Sequence, residues 1–335
     1  MNKHWVKRLG YLALVAVGLG GGVVNAPQLL TGKINQAPVT TVAAASSNYQ
    51  RGIAKGVQYI AHHTGKSTLD SWDAVAISRS AHGLTKAQKA FFYRNIYHQF
   101  KELDGHYAAT DYEKAVIGLA AIGRNPEKFA GHNLVADVIK TAPLAKSGIN
   151  GRIFGVIALS TKSYGKKSTA TVQRLVKLLL KAQNAAGGWS FGSKTSDLDM
   201  TGMALEALAM HPSYAGVKPA INRAVAMLKK SAFIKKTGGF FIRSPFVKTE
   251  NANSLAMIVS GLSASGINVE TTFKGTSGRT PITRLLQFQK ASGQFRWLLN
   301  SNRGALNMAT QQAVYALEQY QAFKLHRGSI FAFNH

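Results

Sequence analysis

Six stretches of small and apolar residues recur through the chain: WDAVAISRSA (72–81), DYEKAVIGLA (111–120), NGRIFGVIAL (150–159), DMTGMALEAL (199–208), NSLAMIVSGL (253–262) and MATQQAVYAL (308–317). Each has helical apolar spacing and almost no charge, so each reads as a helix that wants neighbours on several sides. Between them lie helices with one polar face: 49–63, 85–103, 168–183, 218–232 and 281–290, with a weaker one within 126–141. A helix polar on one face must meet water there. Alternation of the two kinds is satisfied by an inner ring of helices inside an outer ring. The expected fold is therefore all-α, an (α/α)6 toroid over residues 49–330 in a single domain, without runs of alternating strands. The 46% apolar content of the 335 residues supplies the core this needs.

The turns between helices share a signature. QNAAGGW places Gln183, Gly187 and Trp189 in the pattern Q-x-x-x-G-x-aromatic, and QKASGQF repeats it with Gln289, Gly293 and Phe295. DGHY (104–107) and TGGFF (237–241) are degenerate copies. Glycine suits a helix end that must turn sharply, and the aromatic two residues on is placed to plug the gap between hairpins.

With repeat and turn in phase, the chain resembles the squalene cyclase / protein prenyltransferase toroid superfamily. More closely, TDYEKAVIGLAAIG, GINGRIFGVIALS, GGWSFGSKTSDLDMTGMALEALA and NMATQQAVYAL resemble secreted toroid proteins of Gram-positive bacteria, a group similar also to the helical domain of cobalamin-binding transport proteins. The resemblance implies that a terpene cyclase would carry two toroids, whereas this chain has room for one. The superfamily's zinc prenyltransferases use Asp, Cys and His ligands. With no cysteine that site cannot be built, and no histidine spacing suggests another metal site, so no metal and no cofactor is expected.

Charge and the N-terminus speak to location. Lys3, Lys7 and Arg8 precede an uncharged run from Leu9 to Val24, the layout of a secretory signal, and the run is short for a membrane span. Residues 1–26 read as a signal peptide or N-terminal anchor, and 27–48, rich in Ala, Thr, Ser and Val, as a linker. The net charge is +27, and +24 without residues 1–26. Such a protein is drawn to polyanions. If exported, its partners would be an anionic cell-wall polymer or lipid surface rather than nucleic acid, for which no recognition motif is present. The lysine-rich stretches LKKSAFIKK (228–236) and KSYGKK (162–167) read as solvated outer faces or as polyanion contacts. A monomer is expected.

Two carboxylates carry the chemical question. In SDLDMTGMALEAL, Asp197 and Asp199 stand two apart, just ahead of an apolar helical run. By resemblance to the D-x-D-D of class II terpene cyclases, Asp197 matches the first Asp and Asp199 the general acid, while Met200 replaces the last. The simpler reading is helix capping, supported by Asp73 and Asp111 near the same position of other inner helices. Trp72, Tyr112, Phe154, Trp189, Phe191, Phe240, Phe295, Trp297 and Tyr315 all fall at inner helices or the turns before them. They are expected either to line an axial cavity for an apolar, isoprenoid-like ligand or to pack between hairpins. The leading expectation is an exported, envelope-associated toroid that binds a ligand in its axis without catalysis. The alternatives are a class II terpene cyclase-like enzyme using Asp199 as its acid, and a corrinoid- or other small-molecule-binding protein.

Overall fold

A computed structural model describes residues 47–63, 69–243 and 247–333. The expected signal segment lies outside the described residues, as does nearly all of the expected linker. Six inner helices are found: α2 (Ser71–Arg79), α4 (Ala109–Ala121), α6 (Gly148–Leu159), α8 (Leu198–Ala209), α10 (Ala252–Ala264) and α13 (Leu306–Lys324). Each packs against the next, and α13 packs back against α2, so the ring closes. Outside them lie α1 (Asn48–His62), α3 (Lys86–Lys101), α5 (Leu134–Thr141), α7 (Lys166–Ala182), α9 (Val217–Met227) and α12 (Pro281–Gln287). A single turn, α11 (Val269–Thr272), links α10 to α12. The architecture is an (α/α)6 toroid. Beyond the expectation from sequence, a two-residue hairpin, β1 (Phe233–Ile234) with β2 (Gly239–Phe240), fills the TGGFF turn.

Sequence explains which helix goes where. In α10 every residue from Ala252 to Ser263 is buried, which only the inner ring allows. In α7 the buried residues are Ser168, Val172, Leu175, Val176 and Leu179, a stripe of helical period that faces inward while its lysines face water. The starts are set by side-chain caps: Thr85 for α3, Asn133 for α5, Asn251 for α10 and Thr280, followed by Pro281, for α12.

The Q-x-x-x-G-x-aromatic turns lock hairpins together. The Gln183 amide donates to Gly187 O (2.7 Å) in its own turn and to Ala220 O (2.8 Å) in α9. Gln289 does the same with Gly293 O (3.1 Å) and Gly52 O (2.8 Å), fastening the last hairpin to α1 and so closing the ring. Glycine is required here. Gly187 and Gly293 have φ of 104° and 92°, and a Cβ would come within 2.8 Å and 2.2 Å of the carbonyls of Arg223 and Lys55.

The inner helices run parallel, with their starts at one mouth of the ring and their ends at the other. At the first mouth the Lys114 ammonium of α4 meets Asp70 at 2.6 Å. At the second, Gly328–Phe333 crosses the helix ends. Arg79 donates to the carbonyls of Ile330 and Ala332, Gln319 accepts from Ile330 N, Thr161 O accepts from Phe333 N, and the Arg79 guanidinium sits 4.1 Å over the Phe333 ring. The packed domain thus extends to Phe333, three residues past the expected boundary.

Candidate functional site: an acid at the mouth of the ring axis

The opening stretch of α8 gives the two carboxylates different surroundings. Asp197 is the N-cap: its Oδ1 accepts from Met200 N at 2.9 Å, and its own N–H donates to Trp189 O at 2.8 Å. Asp199 does not cap. Asp73 and Asp111 occupy the third position of their helices, where the carboxylate reaches back to the N–H of the cap residue: Asp70 N at 2.9 Å and Ala108 N at 2.7 Å. Asp199 is the second residue of its helix, the position Trp72 holds in α2. One residue of register, about 100° of helical rotation, turns Asp199 away from the capping box. The analogy with Asp73 and Asp111 therefore fails.

Asp199 is 7% exposed, and its Oδ1 has no hydrogen-bond partner. Burial raises its pKa to about 7, the nearby Asp197 charge adds to the rise, and the Ser254 hydroxyl opposes it. An acid of this kind keeps its proton to a higher pH than an ordinary carboxyl.

Seven residues further along α8 sits a second acid, Glu206, 4% exposed. The Ser260 hydroxyl of α10 donates to its Oε2, while Oε1 has no partner. Burial pushes it to about 7 as well. Tyr315 of α13 stands by both: its hydroxyl contacts Met257 Sδ at 3.2 Å, and burial together with the charges of Glu206, Asp199 and Asp70 raises its pKa. Two further glutamates, Glu113 of α4 and Glu318 of α13, are buried with neither carboxylate oxygen hydrogen-bonded. Glu318 feels the Arg79 charge, next to a cavity of about 500 Å³ at the second mouth lined by Ser78, Arg79, Glu318, Arg327 and Ile330 among others.

The expected aromatic lining divides in two. Trp72, Phe154 and Tyr315 meet: Trp72 lies 5.3 Å from Phe154 and 6.5 Å from Tyr315, ring centre to ring centre. Trp189, Phe240 and Phe295 are fully buried between helices instead. The Trp189 indole donates to Leu179 O at 2.8 Å, and the Trp189 and Phe295 N–H groups donate to Thr201 and Thr310 hydroxyls at 3.1 and 3.0 Å. These hydroxyls draw the turns inward and turn the rings into plugs. Phe240 packs on Phe233 and Phe273. Tyr112 joins an outer cluster with Phe100, Tyr107 and His132, and Phe191 is exposed. Of the two expectations, packing between hairpins describes Trp189, Phe240 and Phe295, and Trp297 is partly buried against the core, while Tyr112 and Phe191 lie away from the Trp72–Phe154–Tyr315 group.

Sequence reasoning missed Phe331, whose ring sits 6.1 Å from Trp72 and 5.9 Å from Tyr315. It belongs to no helical period, and its only signal is the apolar IFAF after Gly328-Ser329. Glu113, Glu206 and Glu318 were also missed. Each is the one Glu of its helix, set among residues that are mostly buried.

Two outcomes follow from the acids. Asp199 and Glu206 have folded pKa values near 7 against ordinary values of 3.8 and 4.5. The folded chain therefore binds more protons than the unfolded one between pH 4 and 7, and stability should fall as pH rises through that window and level off above it. At roughly 1.4 kcal/mol per pKa unit, the two together put the drop at several kcal/mol, read as a melting temperature higher at pH 5 than at pH 8. Asp197→Ala, by contrast, removes a cap and should cost about 1 kcal/mol by denaturant unfolding.

Among the described residues no cluster of three His, Asp or Glu side chains is placed to hold a metal, and no helix is long and apolar enough to cross a membrane. No family model and no curated protein matches the sequence. Solved structures do match in fold. The type II terpene cyclase MstE from Scytonema superposes with a TM-score of 0.54 at 12% identity, covering 82% of this chain and 98% of that one. A single-substitution variant of it gives 0.53 at 14% identity, covering 83% and 97%. Another variant, in complex with its substrate geranylgeranyl dihydroxybenzoate, gives 0.50 at 14%, covering 83% and 98%. A terpene cyclase thus exists within the length of one such ring, which overturns the expectation that this chain is too short. This chain has the fold of a type II terpene cyclase.

Proposed function

We propose that this protein is an isoprenoid cyclase of the protonation-initiated kind, with Asp199 as the general acid. The observation that carries the reading is the Asp199 carboxyl: buried, rotated off the capping position and with one oxygen unpartnered. Protonating an alkene needs an acid kept neutral in a dry enclosure. Asp197 serves the reaction by fixing the start of α8 and by discouraging a second negative charge beside it. Trp72, Phe154 and Tyr315 present aromatic faces that attract a developing cation. Binding of an apolar isoprenoid chain is part of the same proposal, as is placement at the cell envelope. The leader-like N-terminus and the charge of +27 support the latter.

The test is incubation of the purified protein with geranylgeraniol, squalene and geranylgeranyl dihydroxybenzoate, followed by chromatography and mass spectrometry. Cyclisation yields new isomers of unchanged mass. A second reading, a non-catalytic ligand-binding toroid, draws on Phe331, whose ring packs against Trp72 and Tyr315 and leaves less of their faces for a developing cation. It would be indicated by isoprenoid retained unchanged on the protein. A retained corrinoid, visible by its colour, would point to the third reading instead.

A further inference from the structure

Asp199 and Glu206 are seven residues apart on α8. That is two turns, so both carboxyls lie on nearly the same helix face, separated by roughly 10 Å along the ring axis. Both are buried, each has one carboxylate oxygen without a partner, and the Tyr315 ring lies within reach of both charges. The wall formed by α8, α10 and α13 therefore carries one acid at the mouth and another deeper in, with polarizable Met257 and the Tyr315 ring nearby. A reaction started by adding a proton must end by losing one, or by capturing water.

We propose, resting on the cyclase reading above, that Glu206 is the catalytic base that ends the reaction Asp199 begins. The neutral Asp199 carboxyl gives its proton to a terminal C=C bond of the isoprenoid, leaving a carboxylate and a carbocation. Ring closure consumes further C=C bonds and moves the cation deeper. The Glu206 carboxylate then takes a proton from the carbon next to the cation, and that C–H pair becomes the new C=C bond. The balance is one proton in, one proton out, with no oxidant or reductant, and the product is an isomer of the substrate. Ser260, donating to Oε2, fixes the carboxylate and leaves Oε1 without a hydrogen-bond partner. The next cycle needs the proton returned to Asp199. Burial raises the pKa of both acids, so each can hold and release a proton nearer neutral pH than an ordinary carboxyl.

The test compares the wild-type protein with Glu206→Gln and the conservative Glu206→Asp on whichever of the three probes above is converted. Glu206→Gln should still consume substrate but divert product to a water-captured alcohol or to a shifted double bond, while Glu206→Asp keeps the wild-type product. The pH profile should also change. Wild-type turnover should be bell-shaped about pH 7, because acidification protonates the base and alkali deprotonates the acid, and Glu206→Gln should lose the acidic limb. Cyclised product with the same distribution and the same pH profile in Glu206→Gln would overturn the proposal and leave Asp199 untouched. No cyclised product from the wild-type protein would overturn the cyclase reading, and this proposal with it.

Discussion

Asp199→Asn is expected to lower turnover of an isoprenoid substrate by about 10²–10⁴-fold while making the folded protein more stable at pH 8. The two effects share one cause. Asp199 is a buried carboxyl whose pKa is raised to about 7, so above that pH the fold must hold a desolvated negative charge beside Asp197. The amide has the same shape, carries no charge and has no acidic proton. Roughly 4 kcal/mol of strain should be relieved, seen as a rise in melting temperature at pH 8 that vanishes near pH 4. A helix cap would behave in the opposite way, since losing it destabilises at every pH. Gain of stability with loss of function marks a group held in place for chemistry. The paired measurement, thermal unfolding across pH and product formation, separates the two roles without knowledge of the physiological substrate.

Gly202→Ala should unfold the ring at its tightest seam. A Cβ at Gly202 would lie 2.3 Å from Met257 O, and one at Gly261 would lie 2.2 Å from Gly202 O. Here α8 and α10 touch backbone to backbone, and neither carbonyl can move without breaking helical hydrogen bonds. Overpacking of this kind costs roughly 3 kcal/mol or more, a fall of about 6–12 °C in melting temperature for a domain of this size. Separating the helices also moves Ser254 and Ser260 away from Asp199 and Glu206, so activity should fall even below the melting transition. Gly328→Ala, with open space around it, should change stability by less than about 0.5 kcal/mol.

The ring was legible because burial on all sides and burial on one side leave different patterns. The run ANSLAMIVSGLSA of α10 contains no charge, while α7 spaces its lysines around an apolar stripe. The site was legible only in outline. Asp197 and Asp199 stood out as a pair, but their roles depend on which residue starts α8, and sequence pattern places helix ends only to within a residue or two. The aromatics of the turns could not be sorted, because what turns Trp189 and Phe295 into plugs is a hydroxyl more than ten residues later, on the next helix. Phe331 was outside the repeating pattern altogether, and its place beside Trp72 and Tyr315 is set by Arg79, Gln319 and Thr161 gripping the backbone on either side. Glu206 was visible as a charge two turns beyond Asp199 in an otherwise uncharged helix, but nothing in the sequence shows that its partner is a serine of the neighbouring helix.

The central claim is that this ring starts its chemistry by proton transfer from Asp199. Running the reaction in D₂O tests it most directly. The carboxyl exchanges with solvent, so the proton delivered to the isoprenoid is a deuteron. The expected cyclised product is heavier than its substrate by one mass unit, with the deuterium on the terminal isoprene unit, and Asp199→Asn forms none. Cyclised product without deuterium, or deuterated product formed equally well by Asp199→Asn, would contradict the claim.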